Sequence, residues 1–372
     1  MSKQSGRALR ILLATGGPTL PQMIGGSQRT GDTLLRGLRE RGHEVALTGA
    51  LVGSDWIGWR ARLLMKLTGR RAIVDHTQGY PVYRSWFPYQ TAAEVVADFR
   101  PNAVVVQAHS TGLMGQAFHE LDQPLLFSFQ DVEFQEHGYD LGKLQPLTGV
   151  ANSQYTAEAY RAAFDATSTV IHPMIDGAQY RVEHTGKHVT FINPSPVKGV
   201  DIAIATAAAL PDIPFRFQEA WPMPPSERQE LLARLAVVPN VTLVPQVEDM
   251  REVYRDTRIL FCPSQWQEGY GRIATEAQFS GIPVIGSDRG GLPEAIGDGG
   301  IVLPAAAPVN DWAAAIRSLW DDNALYREFS ARATAYANRE ALQLERQLDQ
   351  WEDAIREVAR FDHVGGSRQE AG

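Results

Sequence analysis

The sequence predicts an α/β protein built from two doubly wound domains. Three observations carry this expectation. Short apolar runs alternate with stretches of helical periodicity along most of the chain. The alternation lapses around residues 174–188 and then restarts. Each of the two series holds a glycine-bearing loop between a strand and a helix, as parallel sheets with ligands at their carboxyl ends do. At 372 residues the chain also exceeds one ordinary core. The predicted domains are 1–180 and 181–340. Residues 341–372 follow as a helix expected to pack back on the first domain, ending in a polar tail, GGSRQEAG, expected to be disordered.

In the first series, LRILLAT at 9–15 reads as a buried strand. A loop with Gly16-Gly17 and Gly25-Gly26 comes next, then a helix closed by Gly42 and a strand from Glu44 to Leu47. Asp55 to Arg71 mixes Trp56, Trp59, Leu63, Leu64 and Met65 with Arg60, Arg62, Lys66, Arg70 and Arg71. The favoured reading is a surface helix packing its Trp and Leu face on the domain; the alternative is contact with an anionic acceptor or membrane through 56–71. YPVYRSW reads as a strand, Thr91 to Phe99 as a helix, and NAVVVQAHS as a strand ending in His109 and Ser110, where ligands of such sheets bind. LMGQAFHE begins a helix and PLLFSFQD continues the sheet. Asp131, Glu133, Glu136 and His137 match no metal-ligand spacing and read as a solvated loop or acceptor contact. GVANSQYTAEAYRAAF is a strand and a helix capped by Ser153 or Thr156, and TVIHP a short strand. The second series runs HVTFIN, VDIAIATAAAL, FRFQEA, PSERQELLARLA, VTLVPQV and MREVYRDT as strand and helix in turn, and from Asp311 the chain is mostly helical.

Composition narrows the function. Hydrophobic residues make up 44% and charged residues 21%, values of a soluble globular chain. No apolar run reaches the length of a membrane span, and the start MSKQSGRALRILLATGG enters a strand without a cleavage pattern, so a cytoplasmic location is expected, with peripheral attachment at the inner membrane face as its variant. A net charge of −8 opposes nucleic-acid binding. Cys262, the single cysteine, lies in a buried-strand pattern and is expected to be inert.

The chemistry concentrates between Arg258 and Glu294. Ile259 to Cys262 is a buried strand, Ser264 to Tyr270 a loop, and from about Gly271 a helix runs to Gly281 before the strand Pro283 to Ile285. Glu268 precedes the helix and Glu276 lies inside it; between them Gly269 and Gly271 admit a ligand close to the backbone. Amides from Tyr270 to Arg272 would receive a phosphate, while carboxylates nearby favour hydroxyls. A ligand with both is a sugar nucleotide. Lys198, in the loop NPSPVKGVD before a helix, would supply a cation for a second phosphate oxygen. Walker A, HExxH, GxSxG and Asp-x-Asp patterns are missing, so no metal is expected. Gly269 to Ala274 fits GxGxxA, the rival reading being an NAD(P)-dependent oxidoreductase, but residues 264–268 separate it from its strand.

These residues resemble retaining glycosyltransferase family 4, through Glu268-Gly269-Tyr270-Gly271 to Glu276-Ala277 as its Glu-x7-Glu motif, then Gly281-Ile282-Pro283-Val284 and Gly290-Gly291-Leu292-Pro293-Glu294. Gly25-Gly26 and Arg41 to Val45 resemble the family's opening helix. The resemblance implies a GT-B fold, two facing Rossmann-like domains with a cleft between them, the first acceptor-side and the second donor-binding. It implies a hexosyltransferase moving sugar with retention from a nucleotide diphosphate donor, most simply a UDP-sugar, to an acceptor hydroxyl, with no cofactor besides this co-substrate. A GT-B-like sugar-nucleotide epimerase is the companion alternative. Glu268 would contact the donor sugar, Glu276 the ribose, the amides of Gly269, Tyr270, Gly271 and Arg272 the diphosphate, and Lys198 the leaving phosphate. Gly25 and Gly26 would approach the donor from the first domain, His109 would lie near sugar and acceptor, and Val247 and Glu248 would border the base. Where the family carries a phosphate arginine this chain has Asn193; Arg272, Arg289 or Arg29 are the candidates to compensate.

Overall fold

A computed structural model describes residues 7–365 except Pro222; residues 366–372 of the tail expected to be disordered lie outside them. The chain divides into two units. One holds the residues up to Met174 and those from Leu344 onward, the other Ile175–Gln343. The divisions fall at 175 and 344 rather than 181 and 341, because Ile175 and Tyr180 are buried with Tyr254 and Phe279 of the second unit.

The first unit contains, in chain order, β1 (Arg10–Pro18), α1 (Gly26–Glu40), β2 (Glu44–Ala50), α2 (Trp56–Thr68), β3 (Ile73–Asp75), β4 (Val82–Ser85), α3 (Ala92–Phe99), β5 (Ala103–Gln107), α4 (Thr111–His119), β6 (Leu125–Phe129), β7 (Thr148–Ala151), α5 (Gln154–Phe164) and β8 (Thr167–Val170). Its sheet runs β3-β4-β2-β1-β5-β6-β7-β8, parallel except for the edge pair β3 and β4. Apolar runs without alternation become strands here because both faces are covered. In β1 Leu12 and Ala14 enter one core while Ile11 and Leu13 enter the other. Val104 and Val106 of β5 divide from Ala103 and Val105 in the same way. Ser153 caps α5, its side chain accepting from Thr156 N.

The second unit contains β9 (His188–Ile192), α6 (Val200–Ala209), β10 (Phe215–Gln218), α7 (Pro225–Leu235), β11 (Val241–Val244), α8 (Arg251–Asp256), β12 (Thr257–Cys262), α9 (Arg272–Gln278), β13 (Val284–Ser287), α10 (Leu292–Ile296), β14 (Gly300–Leu303), α11 (Val309–Asp321) and α12 (Asn323–Ala337). Its sheet is parallel in the order β11-β10-β9-β12-β13-β14. Ile259 and Phe261 of β12 feed one core, Leu260 and Cys262 the other.

The chain then returns as α13 (Leu344–Gly365) to the first unit, where Leu348, Trp351 and Ile355, at helical spacing, join a core with Leu34 and Leu38 of α1. Arg41 pairs with Glu345, Asp349 and Glu352 along the same helix.

The expected packing of α2 is corrected by the structure. Trp56 and Trp59 are each 63% exposed, and the face against the domain is Ile57, Gly58 and Ala61. The contact is too close for large side chains: a Cβ on Gly58 would lie 2.2 Å from the Val52 carbonyl oxygen.

Trp351 is 2% exposed and central to the α13 contact. A W351A variant should lose about 3–5 kcal/mol of stability in chemical denaturation, with a transition confined to the first unit if the two unfold separately.

Candidate active site

The sheet of the second unit reverses direction between β9 and β12: from β9 it grows to β10 and β11, from β12 to β13 and β14. Ligands of open α/β sheets bind beyond the strands' carboxyl ends at such a reversal. Lys198 follows β9 and Glu268 follows β12, so the two stand on either side of it. The Lys198 ammonium donates to Glu268 Oε1 at 2.7 Å, and Ser264 Oγ donates to the same oxygen at 2.7 Å. Each partner of the ion pair is 17% exposed. The ammonium also lies over the rings of Trp221, at 5.1 Å, and Trp266, at 5.3 Å, a cation–π arrangement that fixes its position further.

Backbone contacts hold the same loop. The amides of Gln265 and Trp266 both donate to the Val197 carbonyl at 2.9 Å, tying the turn after β12 to the turn after β9. Gly291 N donates to Glu268 O at 2.7 Å. Gly290 has φ +59°, and a Cβ there would meet Glu268 O at 2.2 Å, so the approach demands glycine.

Around this pair, unpaired donors gather. Asn193 follows β9 in the left-handed region, φ +64°, its amide donating to Gln218 O at 2.7 Å. Its Nδ2 and the Ser195 Oγ are buried and have no partner among the described residues, and Arg289 Nε is in the same condition. Buried polar groups are nearly always satisfied, so three orphans in neighbouring turns suit a polar ligand. Of the arginines considered as substitutes at Asn193, Arg272 is engaged with Glu276 at 3.4 Å and Arg29 belongs to α1 of the other unit, whereas Arg289 has an unpaired Nε in the loop that clasps Glu268.

Glu276 is a separate centre. It lies within α9, 6% exposed, and accepts from the Tyr254 hydroxyl at 3.0 Å. Burial, reinforced by the Glu276 charge, raises the Tyr254 phenol well above its ordinary pKa, so it stays a donor. Gly271, φ +99°, starts α9. The Tyr270 side chain turns inward, its oxygen shared between Thr275 and Arg339 at 3.1 Å each. Gly269 precedes it in the nine-residue turn 263–271, too long for a dinucleotide fingerprint, which follows its strand directly. Val247 packs partly on the core and Glu248 is exposed, both in the turn after β11. Cys262 is buried, which raises its thiol pKa, with the Glu268 charge adding to the effect.

The first unit's sheet reverses between β1 and β5. β5 ends at Gln107 rather than at Ser110, because Ala108, His109 and Ser110 all take positive φ. Such strain in three successive residues needs support. Gly16 N donates to His109 O at 3.0 Å, and the His109 ring lies where a Cβ on Gly17 would come within 2.4 Å. Gly25 and Gly26 stand instead at the start of α1, where a Cβ on Gly25 would meet only the Gln28 side chain. The expected solvated loop at 131–137 is corrected at His137, which is buried with Phe134, Tyr160 and Phe164, its Nε2 3.1 Å from the Tyr160 hydroxyl. Burial lowers its pKa. No metal-holding group of His, Cys, Asp or Glu occurs among the described residues.

Comparison with known proteins assigns the second unit. Residues 186–322 match the sequence family described as Glycosyl transferases group 1. This segment is a group 1 glycosyltransferase domain. It includes Asn193, Lys198, Glu268, Glu276 and Arg289. A D-inositol 3-phosphate glycosyltransferase of Corynebacterium kroppenstedtii is 40% identical over 138 residues, 36% of this chain and 30% of that protein. One of Nocardia farcinica is 38% identical over 111 residues, 29% of this chain and 24% of that protein. The alignments thus span about a third or less of these relatives. Anabaena Alr3699/HepE, solved in complex with UDP-glucose, matches 94% of this chain and 100% of its own with a TM-score of 0.74 and 17% identity. That likeness is one of fold, and the fold is GT-B, as the resemblance implied.

Trp221, Ser195 and Ser264, which the sequence does not single out, stand with Lys198 and Glu268 in the turns at this end of the sheet. Each follows the carboxyl end of a strand, which is the signal that would have found them. Removing the Tyr254 hydroxyl, which donates to Glu276, should expose the cost of burying that carboxylate: Y254F is expected to lower stability by about 1–3 kcal/mol in denaturant unfolding.

Proposed function

We propose that the protein is a retaining, metal-independent glycosyltransferase that moves a hexose from a UDP-sugar to an acceptor hydroxyl. The observation that carries the reading is the Lys198–Glu268 pair at the sheet reversal, with unpaired donors on Asn193, Ser195 and Arg289 beside it. The group 1 family match and the named activity of the relatives support glycosyl transfer.

In this reading the diphosphate competes with Glu268 for the Lys198 ammonium. Glu268, released, accepts from hydroxyls of the donor sugar. Arg289 and the turn amides of Gly269 to Arg272 bear on the same diphosphate, and Glu276, oriented by Tyr254, accepts from the ribose hydroxyls. Val247 and Glu248 border the base. The bond from the anomeric carbon to the diphosphate oxygen breaks, the acceptor oxygen bonds that carbon on the same face, and the acceptor proton passes to the departing phosphate. Lys198 and Arg289 meet the charge that develops on the leaving group, the work a metal does elsewhere. From the first unit the reading assigns donor approach to Gly25 and Gly26 and sugar and acceptor contact to His109.

A panel of nucleotide sugars and hydroxyl acceptors tests it. E268A should abolish transfer while the variant stays folded by circular dichroism, and K198A should reduce turnover about 10²–10³-fold. The product should keep the donor's anomeric configuration by NMR, and EDTA should leave the rate unchanged. Wild-type turnover by E268A would refute the assignment, an inverted product would refute retention, and activity lost in EDTA and restored by Mn²⁺ would refute metal independence.

A further inference from the structure

Among the described residues, all the exposed large apolar side chains of the first unit lie between residues 23 and 87, and most lie on or beside α2. Trp56, Trp59, Leu63 and Leu67 are 63%, 63%, 44% and 72% exposed. Their spacing of three, four and four places them in one stripe down the helix. The opposite side of α2 carries Ile57, Gly58 and Ala61, which are buried against Leu51 and Ile73. The helix is therefore apolar on two sides, and only one is consumed by the domain.

The outer stripe is extended by the loop after β4. Trp86, 46% exposed, reaches to within 2.8 Å of the Cβ position of Gly53, just before the helix, and Phe87 beside it is 54% exposed. Charge follows the stripe on both flanks: at 100° per residue Arg60 falls on one side of it and Arg62 and Lys66 on the other. Arg70 and Arg71, past the helix end, pair with Asp98 and Glu94, but Arg60, Arg62 and Lys66 make no ion pair with a described carboxylate. A protein of net charge −8 thus places positive charge without a described ion-pair partner around the exposed tryptophans of α2.

We propose that α2, with Trp86 and Phe87, docks the first unit on an anionic bilayer surface. A lipid interface matches each feature. Tryptophan favours the headgroup level, the leucines reach the acyl boundary, and flanking arginines and lysine meet anionic headgroups while their stems lie along the apolar stripe. A protein partner would need a shaped apolar surface ringed by acid; a membrane needs only a convex stripe rimmed by base, which is what α2 presents. The inference rests on α2 and its neighbours and is independent of the transferase reading.

The test is flotation of the full chain with vesicles of phosphatidylcholine alone and of phosphatidylcholine with phosphatidylglycerol, which involves no transfer assay. The protein should float with the anionic vesicles only and be released by salt. Its tryptophan emission should shift to the blue and be quenched by brominated acyl chains. The triple variant W56S/W59S/L63S should lose both the flotation and the emission shift. R60E/R62E/K66E should bind about 100-fold more weakly, each cation near an anionic surface contributing about a factor of five. These positions are exposed, so the thermal midpoints of both variants should match the wild type. Failure to float, flotation indifferent to both variants, or binding without acyl-chain quenching would overturn the proposal. So would a dimer in analytical ultracentrifugation that W56S/W59S/L63S dissociates, since the stripe would then be covered by a second copy.

Discussion

The arrangement of the second unit depends on one contact, the Lys198 ammonium against the Glu268 carboxylate. A largely buried ion pair recovers its desolvation cost only when its geometry is good and its remaining valences are met. Ser264 supplies a second donor to the same oxygen, two tryptophan rings flank the ammonium, and the Val197 carbonyl joins the two turns that carry the charges. The loop cannot relax away, because Gly290 closes against the Glu268 backbone at a distance no other residue allows. Sequence elements far apart in the chain, after β9, β10, β12 and β13, thus converge on one pair of charges.

The first unit repeats the topology with different chemistry. Its reversal holds a histidine on strained backbone, supported by Gly16 and Gly17, in place of an ion pair. The charge it buries lies on β4: Arg84, 1% exposed, pairs with Asp75 and donates to Leu20 O at 2.7 Å and Thr19 Oγ1 at 3.1 Å in the loop after β1. Rigid walls around a glycine-bearing loop are what a site needs to hold groups in place at low entropic cost.

Most of the fold was legible because parallel strands covered on both faces read as unbroken apolar runs, and the helices between them keep their period. β3 and β14 were not, since each is a three- or four-residue edge strand among turn residues, with too few positions to show a pattern. Glu268, Glu276 and Lys198 were legible from their distance to a helix start. The orphaned Nε of Arg289 was not, because it follows from which of several arginines finds a partner, a property of packing rather than spacing. The outward turn of Trp56 and Trp59 escaped for a related reason: α2 has two apolar sides, and periodicity cannot say which one the domain takes.

The central claim is that Lys198 is shared between Glu268 and the incoming diphosphate, and a double-mutant cycle on UDP affinity tests it most directly. Calorimetric titration of wild type, K198M, E268Q and the double variant separates competition from simple proximity. The account predicts that E268Q binds UDP more tightly than wild type, that K198M binds it more weakly, and that E268Q has no such benefit once Lys198 is gone. Strictly additive effects, or weaker UDP binding by E268Q, would contradict it.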